Sequence, residues 1–184
     1  GATSIATVGV ELAEKIFGRL SGAVVVLIGT GKIGERTLKQ LTARGVRTIR
    51  MMNRSLDRAI DLASTYQATP CALDQLAAQL LEADIVITST SAPEPVLHRE
   101  MVAVAMHARH QRPLCLVDLG VPRNIDPLVG GLDNVYLFNI DDLQGVASAA
   151  QEARHHALAS CQRIIDEKVE RFVVWRQREL ASAS

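Results

Sequence analysis

Ala23-Val24-Val25-Val26-Leu27-Ile28-Gly29-Thr30-Gly31-Lys32-Ile33-Gly34 is the stretch that decides the fold. Six apolar residues run without polar alternation, the pattern of a strand buried on both faces of a parallel sheet. Three glycines follow at G-x-G-x-x-G spacing, and residues 36–44 then read as a helix ending at Gly45. Each glycine has a separate physical task. Gly29 permits a tight turn, Gly31 lets an anion approach the backbone, and Gly34 lets the helix pack on the strand. A helix start at this point also offers free N–H groups and a positive dipole end. The plainer alternative is that the glycines only shape a strand–helix turn.

Strands and helices alternate outward from this point. Residues 4–17 carry Ile5, Val8, Leu12, Ala13, Ile16 and Phe17 at helical spacing, with Gly18 as the stop. Residues 46–52 read as a second strand, and 55–66 as a helix with Ser55 as N-cap. Residues 69–72 form a short strand and 73–81 a helix; 84–89 is a strand and 97–108 a helix. Residues 114–119 and 135–140 are the last two strands. This rhythm predicts an α/β architecture, a Rossmann-type doubly wound parallel sheet of six strands. Residues 142–180 contain no proline and one glycine, with Leu143, Val146, Ala150, Ala157, Cys161, Ile164, Ile165, Phe172 and Trp175 near one stripe. They predict a long C-terminal helix of about 55–60 Å, capped by Asp141 or Asp142. The expected division is a nucleotide-binding domain over residues 1–141 and a linker helix over 142–184.

Composition narrows the function. The 184 residues carry 20 Lys plus Arg against 20 Asp plus Glu, a net charge of zero. A protein whose main task is gripping a phosphate backbone needs a basic excess. Aromatics are only 3%, too few for a base-stacking platform. The 23–28 run is too short to span a membrane. Cys71, Cys115 and Cys161 are odd in number and widely spaced, which fits a reducing, cytoplasmic setting and suggests neither a disulfide framework nor a zinc site. They read as core or interface thiols. The five histidines form no ligand set; His107 and His110 lack an acid or cysteine partner at that spacing. Arg109 to Arg112 read as a solvated helix end. The N-terminal stretch has no basic signal-peptide region, and a start at Gly1-Ala2 suggests a piece of something longer.

Cofactor choice is written after the second strand. Asn53-Arg54-Ser55 lies 19 positions past Gly34, where NAD-preferring sites place an acid for the ribose 2′-hydroxyl. A guanidinium there can clamp a 2′-phosphate with paired charge-assisted bonds, so the reading is NADP. The other reading is an exposed arginine beside a helix cap. Thr88, Ser89 and Thr90 end the fourth strand and either face the nicotinamide half or merely begin a polar loop. Gly120 and Val121 follow the fifth strand on the same edge. Asp118 either lines the ring pocket or fixes the loop. The expected cofactor contacts are therefore Gly29, Thr30, Gly31, Lys32, Ile33, Gly34, Asn53, Arg54, Ser55, Thr88, Ser89, Thr90, Gly120 and Val121.

Several runs together resemble glutamyl-tRNA reductase: IFG (16–18), VLIGTGKIGE (26–35), MNRS (52–55), ADIVITSTSAP (83–93), DLGVPRNIDP (118–127) and NVYLFNIDDL (134–143). The resemblance covers nearly the whole chain. It implies a domain that binds NADPH and supplies hydride for reducing a tRNA-linked glutamyl group to glutamate-1-semialdehyde, in tetrapyrrole (porphyrin) biosynthesis. It implies a separate N-terminal domain that holds the nucleophilic cysteine and meets glutamyl-tRNA. It also implies a homodimer made through the long spinal helix and a C-terminal domain. No catalytic residue of the family falls in this chain. Gly120 and Asn124 stand where the resemblance leads one to expect Ala and Asp. Two other readings compete: a shikimate dehydrogenase-like NADP enzyme, and a non-catalytic interaction module built on the long helix.

Overall fold

The computed structural model describes residues 4–151 and 159–183. Six strands form one parallel sheet: β1 (Val24–Ile28), β2 (Thr48–Asn53), β3 (Thr69–Ala72), β4 (Ile85–Thr88), β5 (Leu114–Asp118) and β6 (Val135–Asn139). Their order is β3-β2-β1-β4-β5-β6. The direction of winding reverses between β1 and β4, which pair directly from Val25↔Ile85 to Ile28↔Thr88. This reversal opens the crevice in which doubly wound sheets take a dinucleotide.

Side-chain alternation divides the core into two layers. Val25, Leu27, Ile85, Ile87, Cys115 and Val117 face one layer. Val26, Ile28, Val86, Leu114 and Leu116 face the other. Both faces are therefore apolar, which explains strands without polar alternation. The first layer is covered by α1 (Ile5–Phe17), α2 (Lys32–Ala43) and α3 (Leu56–Tyr66). The second is covered by α4 (Leu76–Gln79), α5 (Arg99–Ala108) and a 3-10 turn over Pro127–Gly131.

Some local expectations change. The second helix begins at Lys32, not Arg36, so Gly34 lies inside its first turn. Residues 73–81 hold only a 3-10 turn (Leu73–Gln75) and the single turn of α4. The buried Arg109 is not a solvated helix end. Its guanidinium donates to the carbonyls of Leu80 (2.5 Å), Arg112 (2.9 Å) and Pro113 (3.0 Å). Burial first, and then Arg112, push its pKa down to about 10, with Asp84 acting against them.

The C-terminal part begins with α6 (Ile140–Gln151) and continues with α7 (Ala159–Ser182), so the chain ends in a helix as expected. The cap of α6 is Asn139 rather than either aspartate. Its Oδ1 accepts from the Asp142 N–H (3.0 Å), and the Asp142 carboxylate accepts from the Asn139 N–H (2.9 Å). This is a reciprocal capping box. A single rod through 142–180 is not what the described residues form. Such a rod would carry Lys168 ~40 Å from Ile140, yet Lys168 Nζ donates to the Leu137 carbonyl at 3.4 Å. Ile165, Val169 and Phe172 share the first core layer with Leu143 and α1. The Phe172 ring meets Phe17 and Tyr136 edge-on, each at 5.0 Å between centroids. Ala157, His155 and His156, and the side chains of Ala150, Cys161 and Ile164, lie outside the described residues.

Phe172 is 1% exposed. Phe172→Ala is expected to cost ~3–5 kcal/mol of stability, read by urea unfolding. A loss under 1 kcal/mol would show that α7 is not docked on this core.

Candidate functional site: the crevice at the β1–β4 reversal

The glycine loop is built from close backbone contacts. Gly29 has φ +122°, a conformation side chains rarely adopt, and donates to the Met52 carbonyl (2.9 Å). A Cβ on Gly29 would lie 2.8 Å from the Ser89 carbonyl oxygen. A Cβ on Gly34 would lie 2.3 Å from the Gly29 carbonyl oxygen. These two glycines let the strand end, the first turn of α2 and the loop after β4 meet. Gly31 differs: it is exposed, is the N-cap of α2, and a Cβ there would meet nothing within 4 Å. No protein contact requires glycine at 31. The space it leaves lies over the free N–H groups of α2, where an anion would sit. Lys32 is exposed beside it, and Ile33 and Thr30 are half-buried.

The basic turn follows β2. Asn53 Nδ2 donates to the Ser55 carbonyl (3.2 Å), closing the turn. Ser55 caps α3, its Oγ accepting from the Arg58 N–H (3.4 Å). That bond leaves the hydroxyl proton free to donate. Arg54 is exposed, and no described residue forms an ion pair with it. Arg58 lies outside the motifs that the sequence offers. The structure brings it to a cleft of about 310 Å³ that it shares with Thr30, Asp61, Leu62 and Thr65. The i, i+4 spacing of Arg54 and Arg58 across a helix start was the signal that could have found it.

Beyond β4 and β5 the polar groups divide. Thr88 is fully buried and its hydroxyl donates to Asp118 Oδ1 (3.1 Å), so it does not face the crevice as expected. Asp118 is 1% exposed and also accepts from the N–H groups of Gly120 (2.9 Å), Asn124 (3.0 Å) and Ile125 (3.0 Å). Its task is to fix the loop. Gly120 is buried within that loop, whereas Val121 is 70% exposed at its rim. The Thr90 N–H is held by Asn124 Oδ1 (2.8 Å), and its hydroxyl accepts from the Ala92 N–H (3.2 Å). Two buried polar atoms have no hydrogen-bond partner among the described residues, Arg123 Nη1 and Ser89 Oγ, and of these Ser89 Oγ is the hydroxyl at the glycine loop. It lies where a Cβ on Gly29 or Gly34 would be, 2.8 and 3.1 Å away. Buried hydroxyls are rarely left unpaired without a reason.

The thiols stay outside this chemistry. Cys115 is fully buried in β5, and burial pushes its pKa up to about 12. That thiol is protonated and inert at neutral pH. Cys71 is half-buried in β3.

An open phosphate seat at Gly31, an orphaned hydroxyl at Ser89 and an unpaired guanidinium at Arg54 fit a phosphorylated dinucleotide. The fold and cradle define a dinucleotide-binding α/β domain. Residues 11–146 match the family profile described as Shikimate / quinate 5-dehydrogenase, and the chain belongs to that family. Its curated relatives bear out the resemblance read from the motifs. It is 42% identical over 174 residues to "Glutamyl-tRNA reductase" of Syntrophobacter fumaroxidans, covering 95% of this chain and 38% of that protein. It is 40% identical over 183 residues to "Glutamyl-tRNA reductase 2" of Anaeromyxobacter dehalogenans, covering 100% and 41%. The solved "Glutamyl-tRNA Reductase from Methanopyrus kandleri" superposes with a TM-score of 0.75 at 32% identity, over 100% of this chain and 45% of that one. The chain thus spans about two fifths of the length of the curated relatives. No helix among the described residues is long and apolar enough to cross a membrane.

Gly34→Ala is expected to destabilise by several kcal/mol, since its methyl would strike backbone. Gly31→Ala is expected to cost ~1 kcal/mol or less in the same unfolding titration, the difference between glycine and alanine at an N-cap. Equal losses would mean that Gly31 is a packing glycine after all.

Proposed function

We propose that this chain is the NADPH-binding domain of a glutamyl-tRNA reductase. The observation that carries the cofactor choice is Arg54, unpaired and exposed at the end of β2, where an NAD site would hold an acid. The N–H groups at the start of α2, over Gly31 and Lys32, would hold the pyrophosphate. Arg54, Arg58, the Ser55 hydroxyl and the positive end of α3 would hold the adenosine 2′-phosphate. Ser89 Oγ donates into the crevice toward the phosphate–ribose segment, which ends its isolation. Val121 closes the nicotinamide end against water. When bound, NADPH supplies the hydride; these residues bind it, orient it and keep its reactive face dry.

The reaction proposed for the whole protein is reduction of the tRNA-linked glutamyl group to glutamate-1-semialdehyde, for tetrapyrrole synthesis. The identity to glutamyl-tRNA reductases over nearly the full chain supports this reading over a shikimate dehydrogenase or a non-catalytic module. We divide the chain into a cofactor domain over 1–141 and a linker over 142–184 that joins it to a dimer-forming domain. Glutamyl-tRNA is met by a separate domain that carries the nucleophile. The free thiols Cys71 and Cys115 suit the reducing cytoplasm.

Arg54→Ala is expected to weaken NADPH by about 10- to 150-fold, the worth of one desolvated charged contact of ~1.5–3 kcal/mol, and NADH hardly at all. Titration by nicotinamide fluorescence reads both. Equal loss for the two cofactors would overturn the role of Arg54. The isolated chain should bind NADPH yet turn over no glutamyl-tRNA; turnover by it alone would overturn the division of labour.

A further inference from the structure

We propose that Asn124 is the positioning residue for the nicotinamide end of the cofactor, acting by clipping the loop after β4 to the loop after β5. The inference rests on the NADPH reading above and adds a residue that neither the glycine loop nor the basic turn contains.

Asn124 is fully buried. Its side-chain amide grips both backbone groups of one distant residue. Oδ1 accepts from the Thr90 N–H at 2.8 Å, and Nδ2 donates to the Thr90 carbonyl at 3.2 Å. Nδ2 also reaches the Pro122 carbonyl at 3.4 Å. Its own backbone is committed as well. The N–H donates to Asp118, and the carbonyl accepts from Val96 (2.7 Å) and Leu97 (3.1 Å). One residue, by its side chain at Thr90 and Pro122 and by its backbone at Val96, Leu97 and Asp118, thus fixes the spacing of segments 90, 96–97 and 118–122. Thr90 follows the orphaned Ser89, and Val121 precedes Pro122. The clip therefore sets where those two groups stand relative to each other.

Gly120 belongs to the same device. A Cβ on Gly120 would lie 2.2 Å from Asn124 Oδ1 and 2.3 Å from Cγ. The amide occupies the volume that any side chain at 120 would need. Gly120 and Asn124 are therefore one coupled choice. With Gly120 leaving that volume open, an amide suits this geometry, because Thr90 offers one donor and one acceptor; the Ala and Asp that the resemblance leads one to expect at 120 and 124 are the other form of the same coupled choice. A carboxylate would satisfy the N–H and repel the carbonyl, and it would add a second charge beside Asp118.

β4 and β5 lie on the second-half side of the reversal between β1 and β4. Doubly wound sheets seat one mononucleotide on each half, so the loops after β4 and β5 meet the nicotinamide nucleotide and not the adenosine. A positioning role there predicts an asymmetric effect that a general packing role would not.

Asn124→Asp, nearly isosteric, and Gly120→Ala, which expels the amide, are titrated with NADPH and with 2′,5′-ADP, which lacks the nicotinamide half. Both variants should bind 2′,5′-ADP within about twofold of the parent and NADPH about tenfold more weakly, with reduced fluorescence of the bound nicotinamide. Equal weakening of both ligands, or weakening of neither, overturns the proposal. Hydrogen exchange on the parent protein needs no variant. NADPH, but not 2′,5′-ADP, should slow exchange in segments 88–92 and 118–125; equal protection by both, or none by NADPH, overturns it. A parent protein that binds neither ligand sinks the cofactor reading and this inference with it. One that binds both, with variants lacking the asymmetry, sinks this inference alone.

Discussion

Everything at the crevice depends on three backbone segments coming closer than any side chain would allow. The end of β1, the first turn of α2 and the residue after β4 meet at Gly29, Gly34 and Ser89. A methyl on Gly34 would lie 2.3 Å from the Gly29 carbonyl oxygen, and one on Gly29 would lie 2.8 Å from the Ser89 carbonyl oxygen. This approach places the start of α2 directly over the strand ends. The unpaired N–H groups of that helix then point into the gap opened by the β1–β4 reversal. A bulkier loop would push α2 outward and separate the dipole end from the seat it serves.

The opposite edge of the crevice is held by other means. Asp118 is a buried side chain that forms no ion pair among the described residues, a costly arrangement unless hydrogen bonds replace the lost water. Four donors do so: the Thr88 hydroxyl and the N–H groups of Gly120, Asn124 and Ile125. The loop after β5 wraps around that side chain, and Asn124 then fastens the loop to Thr90. One edge is thus rigid because side chains are missing, and the other because two polar side chains are buried and fully occupied. Ser89 lies where the edges meet. It is the buried hydroxyl that neither set of contacts satisfies.

How much of this was legible in the sequence follows from the range of the interactions. The β1 run and the glycine spacing are local, and they gave the sheet, the reversal and the separate tasks of Gly29, Gly31 and Gly34. Ser55 as the cap of α3 was equally local. Thr88 misled because residue type does not reveal which way a strand-end hydroxyl turns; its partner, Asp118, is 30 residues away. Asn124 went unread as a clip for the same reason, since its partner Thr90 is 34 residues away. A periodic stripe over 142–180 specifies a helix face, but it does not say which surface that face meets. The Phe17–Phe172–Tyr136 contacts, which bring α7 onto the core, join parts of the chain with no common local pattern.

The arginines show why charge has to be weighed against partners before it can be assigned a ligand. Arg44 faces Glu14, Arg50 faces Glu82, Arg112 faces Asp84, and Arg123 faces Asp141. Arg109 is spent on three carbonyls, and Arg176 donates to the Phe17 carbonyl and covers its ring. Most of these guanidiniums already have their compensation within the fold, so an incoming phosphate would have to compete with an existing bond; Arg123 alone of this group keeps a buried nitrogen, Nη1, without a hydrogen-bond partner among the described residues. Arg54 has no such ion pair among the described residues, and it stands at the one strand end where adenosine's ribose falls in this topology. A phosphate there displaces only water, and it gains the helix start and the Ser55 hydroxyl as well as the guanidinium. The preference for a phosphorylated cofactor thus comes from an arginine that the fold leaves uncommitted, and not from the number of arginines in a chain of zero net charge.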